Sequence, residues 1–148
     1  MRSQPTAHAD IARTGSGGPW EPVVGYCRAV RAGGLVVVSG TTADAGADMA
    51  AQARSAIARV LAALRTAGAG PGDVIQTRLF VTDIGAWEAV AAAHREAFGD
   101  APPAATMVQV AALIDPALLI EVEAMAWVGR REPAAAAGDG SCDYARAA

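Results

Sequence analysis

The hydrophobic and polar positions change period several times along the chain, and each change marks an element. From Tyr26 to Val30 successive side chains alternate between the two faces of an extended segment. Arg31-Ala32-Gly33-Gly34 turns the chain, and the branched run Leu35-Val36-Val37-Val38-Ser39 follows. The short glycine-containing link predicts a hairpin. Both faces of its second strand are apolar, which predicts helices over one face and partial cover on the other. Met49, Ala53, Ile57, Val60, Leu64 and Ala67 then recur at helical spacing, with Arg54, Arg59 and Arg65 mainly off that stripe. Asp48 stands where a side chain accepts from the free N–H groups of a first turn, and Gly68 where a left-handed residue ends a helix.

After a loop at 69–73 the pattern predicts a third strand, Val74 to Val81, and a second helix from about Ala86 to Phe98. Trp87, Val90, His94 and Ala97 or Phe98 share that helix's apolar side, with Asp83 as cap and Gly99 as stop. Pro102-Pro103 forces an extended entry to a fourth strand, Thr106 to Val110. Asp115-Pro116 turns the chain into a last strand, Leu118 to Trp127. The predicted class is α/β, in the order β-β-α-β-α-β-β, with two helices packed on one mixed sheet. Residues 1–19 end in G-S-G-G-P and predict a flexible N-terminal segment, with Trp20 placed to anchor its end. Residues 20–128 form the domain, and 129–148 read as a flexible C-terminal tail.

Composition narrows this picture. With 148 residues, 53% of them hydrophobic, one core can be buried and two cannot comfortably be. Only 18% of residues are charged, which fits either surface hidden in an oligomer or a compositional bias toward alanine. The net charge of −3 and the scattered basic residues exclude a basic stripe for nucleic acid. Residues 1–19 lack the apolar core of a signal peptide, and the apolar runs elsewhere are too short to span a membrane. Cys27 and Cys142 form no C-x-x-C, so a cytoplasmic, reduced protein is expected. His8 and His94 make no ligand pair, and no phosphate- or dinucleotide-binding glycine motif occurs, so neither metal nor cofactor is expected. His94 reads as a residue packed between helix and sheet.

Seven segments, taken in order, resemble the RidA family, also called YjgF/YER057c/UK114. They are Y-C-R-A-V at 26–30, V-S-G-T at 38–41, A-A-Q-A-R at 50–54, L-R-T-A-G at 64–68, G-D-V-I-Q-T-R-L-F-V-T-D-I at 72–84, P-P-A-A-T-M-V-Q-V at 102–110 and I-E-V-E-A-M-A at 120–126. No single segment is specific; their order and spacing are. The resemblance implies a chorismate-mutase-like fold whose subunits close into a barrel-like homotrimer, with small-molecule clefts at the interfaces. It also implies hydrolysis of 2-imino or 2-enamino acids to 2-keto acids and ammonia. That chemistry requires a cation for the substrate carboxylate, a carboxylic group to move protons, and water aimed at the imine carbon.

By this resemblance Tyr26 matches the cleft tyrosine, Ser39 and Gly40 the serine-glycine pair, and Glu121 the acid that positions the water. Ala105 stands where the family carries an arginine that grips carboxylate, Ala91 where an asparagine is common, and Thr41 in place of glutamine. These departures mark a divergent member. Two functions stay open: an enzyme acting on a small imine, enamine or related carbonyl metabolite, outside the standard deaminases, or a non-catalytic homotrimer that binds a small metabolite or a protein partner.

Individual residues sharpen the expectation. Arg28 lies two positions from Tyr26 and so shares its face; it either supplies the missing cation or makes a structural ion pair or subunit contact. Glu121 and Glu123 share a face about 7 Å apart, where they raise each other's proton affinity or pair with Arg78. Thr106 is placed to donate a hydrogen bond at the cleft mouth beside Ala105. Cys27 alternates away from Tyr26 and reads as a small buried hydrophobe, and Trp87 and Trp127 as packing residues.

Overall fold

In the computed structural model, which describes residues 10–44 and 46–129, the apolar helical stripe and the branched strand meet face to face. In chain order the elements are β1 (Ile11–Thr14), α1 (Trp20–Val24), β2 (Ala29–Ala32), β3 (Leu35–Thr42), α2 (Met49–Thr66), β4 (Val74–Val81), α3 (Trp87–Phe98), β5 (Ala104–Gln109) and β6 (Ile120–Trp127). The sheet runs β1-β2-β3-β6-β4-β5. Its pairs are antiparallel except β4 with β5, which is parallel and therefore needs the α3 crossover.

Helix α2 starts where Asp48 accepts a hydrogen bond from the Ala51 N–H at 2.8 Å, and it closes ahead of Gly68 at φ +80°. Its stripe of Ala53, Ile57, Val60 and Leu64 packs into one core with Val36, Val38, Ile120, Val122 and Ala124 of the sheet. One polar residue sits inside this stripe. Gln52 is fully buried; its amide donates to the carbonyls of Ala47 and Ala117, and its oxygen accepts from the Leu119 N–H at 2.8 Å. The helix thereby holds the loop that leads into β6.

The opposite sheet face carries no helix among the described residues. Val37, Val108 and Trp127 are 38%, 42% and 55% exposed there. Trp20 and Trp87 are likewise about half exposed, so each of the three tryptophans packs with only part of its ring within one chain, Trp127 against Gly34 and Gly129.

Three further differences from the sequence reading have local causes. The lead-in contains structure: β1 pairs with β2, and α1 follows. No apolar period marks this segment, because hydrogen bonds hold it. The Glu21 carboxylate accepts from the Ser16 N–H and hydroxyl, each at 2.7 Å, and from the Gly17 N–H. Strand β2 covers Ala29–Ala32, not Tyr26–Val30, since its ladder with β3 stops at Ala29 opposite Val38, where β3 becomes irregular. Strand β6 begins at Ile120 because the Leu118 N–H is taken by Asp115 O in a turn. Residues 1–9 of the expected flexible lead-in, with His8, and the expected tail from 130 onward, with Cys142, lie outside the described residues.

Candidate functional site

The irregularity in β3 builds the centre of the site. Val38 faces Ala124 and Thr41 faces Val122, so three steps along β3 span two along β6. This is a bulge, and it frees the backbone of Ser39 and Gly40 from the ladder. The freed groups are claimed by the segment before β2. Arg28 Nη1 donates to Gly40 O at 2.7 Å and to Thr41 Oγ1 at 2.8 Å, with a longer contact to Ser39 O. The Ser39 hydroxyl donates to Cys27 O at 2.7 Å, and the Ser39 N–H to Arg28 O. Thr41 Oγ1 donates in turn to Ser39 O.

Arg28 also reaches its own neighbour. Nη2 donates to the Tyr26 hydroxyl at 2.9 Å, and the guanidinium lies 5.3 Å from the centre of the Tyr26 ring. Tyr26 and Arg28 thus meet although they precede the strand on which alternation had placed them. Within the described residues Arg28 donates to carbonyls and hydroxyls, a clasp on the bulge and not the structural ion pair that was one alternative for it.

Glu121 comes from β6, where it pairs in register with Thr42. Its carboxylate rests against the Cα of Gly40, in the space that a Cβ at position 40 would fill. Loss of water around the half-buried group pushes its proton affinity above the usual carboxylate range, Glu123 adds to this, and Arg28 opposes it. Glu123 lies 3.5 Å from Arg78, the partner foreseen for it, on a surface exposed enough that the pair adds little stability.

Tyr26, Arg28, Ser39, Gly40, Thr41 and Glu121 line one open cleft of about 1060 Å³. Trp20 and Ile114 form part of its wall, as do Arg59 and Asp44, which are bridged at 2.7 Å. Ser39 has no histidine beside it: His94 Nε2 is hydrogen bonded to Thr77 at 2.8 Å and its ring packs on Phe98, with burial lowering its proton affinity. That is the packing role read from the sequence. Cys27 is only partly buried.

One chain does not bring Ala105 and Thr106 to this cleft. They lie on the terminal strand β5, opposite Thr77 and Arg78 of β4, and β4 separates them from β6. Alternation puts Ala105 on the helix side and Thr106 on the open face. Among the described residues no group of three or more His, Cys, Asp or Glu is placed to hold a metal ion. No helix there is long and apolar enough to cross a membrane. Sequence reasoning passed over Gln52, whose signal was a polar residue within the apolar stripe, and the Arg59–Asp44 bridge, which had none.

The family model described as Endoribonuclease L-PSP matches residues 19–128. An uncharacterized protein of Streptomyces coelicolor is 36% identical over 125 residues, covering 80% of this chain and 93% of its own. The 2-iminobutanoate/2-iminopropanoate deaminase of Escherichia coli K12 is 34% identical over 110 residues, covering 68% of this chain and 85% of its own. Among solved structures, Rv2704 of Mycobacterium tuberculosis, a member of the YjgF/YER057c/UK114 family, shares 50% identity at a TM-score of 0.78, covering 80% of this chain and all of its own.

Proposed function

The chain belongs to the Endoribonuclease L-PSP family, the family of YjgF and RidA, and on that premise we propose that it acts on a small imine, enamine or related carbonyl metabolite in the Glu121 cleft, outside the standard 2-imino acid deaminases. The observation that carries this reading is the placement of Glu121. A half-buried carboxyl with raised proton affinity faces the same cleft as the Tyr26 hydroxyl, in space that a glycine at position 40 leaves open. In imine hydrolysis the protonated Glu121 gives its proton to the imine nitrogen. The carboxylate so formed takes a proton from water as the water oxygen bonds to carbon. That proton then passes to the amine nitrogen; as the C–N bond breaks and ammonia leaves, the hydroxyl proton returns to Glu121, releasing the carbonyl compound and restoring the acid, with one water consumed.

The open sheet face supports a homotrimer, since Val37, Val108 and Trp127 are exposed in one chain and a neighbouring copy would cover them. In such an assembly Ala105 and Thr106 would reach the cleft from the adjoining subunit. The ribonuclease name of the matched family is not carried over, because the single described histidine is engaged in packing and the cleft has more carboxylates than cations. A non-catalytic binding role is the second reading, supported by Ala91 and Ala105, which lack polar handles.

The test is to form imines in place, both 2-imino acids from an amino-acid oxidase and uncharged imines from aldehydes and ammonia, and time their loss. Acceleration of an uncharged imine that disappears in Glu121→Gln is the expected result. Loss of every imine at the unassisted rate would reject the enzyme reading, and a tight ligand recovered unchanged would then establish the binding role.

A further inference from the structure

We propose that the natural ligand carries no carboxylate at the end that meets Glu121: its reacting group is an uncharged carbonyl or imine, or the cationic iminium formed from one. This rests on the reading of the cleft as the ligand site, and it names the class of compound.

The charges around the cleft set the class. Two cations line it, Arg28 and Arg59, against three carboxylates, Asp44, Asp115 and Glu121. Arg59 is already bridged to Asp44 and donates to Thr42 O at 3.0 Å. Arg28 spends Nη1 on Gly40 O and Thr41, and one Nη2 hydrogen on Tyr26. Its charge also acts on Glu21 and Glu121, lowering the proton affinity of both. Within one chain, an entering carboxylate would join three carboxyl groups and would meet only the Nε–H and the second Nη2 hydrogen of Arg28, a poor replacement for its water.

An uncharged group meets a different set of contacts. The Tyr26 oxygen accepts from Arg28, so its own hydrogen is free to donate to a carbonyl oxygen or imine nitrogen. A cationic iminium would find the Glu121 carboxylate, and charge-assisted bonds of that kind are the strong ones. The same cleft that resists an acid therefore suits the neutral or cationic forms of one reaction.

The experiment compares two probes of nearly one shape, 2-oxobutanamide and 2-oxobutanoate, titrated into the full chain while the side-chain carboxyl signal of Glu121 is followed by carbon NMR. The expected result is that the amide moves this signal at a concentration at least about tenfold lower than the acid. If the acid acts at an equal or lower concentration, the ligand class is overturned while the cleft remains the ligand site. If neither probe moves the Glu121 signal at its highest soluble concentration, the cleft reading falls and this inference with it.

Discussion

The carboxylate of Glu121 fills the place where a Cβ on residue 40 would stand, so the identity of one residue determines where the other can be. Gly40→Ala must push Glu121 aside. The obstructing atoms are the end of a flexible side chain, so the expected cost in stability is modest, about 1 kcal/mol. The effect on the site is larger: ligand binding or turnover should drop at least tenfold, about 1.4 kcal/mol. Thermal unfolding and the Glu121 carboxyl titration, measured on the same variant, check this. A full-activity Gly40→Ala protein would mean that the contact has no functional part.

Glu121→Gln should change stability in a pH-dependent way. The folded-state proton affinity of Glu121 is raised above the ordinary value of 4.5, so the folded chain holds that proton more tightly than the unfolded one. The contribution of Glu121 to stability is then fully present below 4.5 and is lost as pH rises through the raised value. Glutamine does not titrate. The variant should gain on the parent between acid and neutral pH, read as a widening gap in melting temperature. A variant that is the less stable of the two at neutral pH would contradict the burial of this carboxylate.

Arg28→Ala removes the clasp and leaves Gly40 O without its charged partner. Hydrogen bonds to charged groups are worth roughly 1.5–3 kcal/mol, and a loss of about 2 kcal/mol is expected in denaturant unfolding. Lysine presents one compact ammonium and cannot reach Gly40 O and the Tyr26 hydroxyl together, so Arg28→Lys should recover only part of it. Complete recovery by lysine would show that charge alone matters there.

Gln52→Leu keeps volume and removes three hydrogen bonds at a fully buried position. The carbonyls of Ala47 and Ala117 and the Leu119 N–H lose their partner, with an expected cost of about 3 kcal/mol. Amide exchange at Leu119 should accelerate more than exchange in the centre of β6. A uniform change in exchange would argue that the residue stabilises the core in general and not the loop beside the cleft.

Where a single period governs, sequence and structure agree. Asp48 caps α2 and Gly68 follows its end, and β4 spans Val74–Val81, because strong alternation or a helical stripe there has flanking residues of fitting chemistry. The α/β class and the two long helices follow from the same signals. The candidate site was legible in part by residue and not by geometry, since Ala105 and Thr106 lie apart from the cleft in one chain. Tyr26, Arg28, Ser39, Gly40 and Glu121 do line one cleft, yet Tyr26 and Arg28 meet through a side-chain bond across a non-strand segment, which alternation cannot express. The bulge at Ser39 and Gly40 has no hydropathic mark, since it consists of one extra residue in a ladder. Strand β1 and helix α1 were hidden for a related reason: polar contacts from Glu21 and edge pairing leave no periodic trace. Trp87 and Trp127 show the reverse, apolar residues whose period points to burial while one chain leaves them open.

That extra residue makes the cleft a matter of counting. Removing one position between Val38 and Thr41 would restore plain two-residue alternation, keep Val38 and Thr41 on their present faces, and return the freed carbonyls to the ladder. The sheet would survive, while Arg28 would lose the bulge carbonyls it holds and the cleft its present centre. A single codon inserted or lost at this point therefore separates a bare scaffold from one with a site, and the two can be exchanged in evolution without redesigning the core.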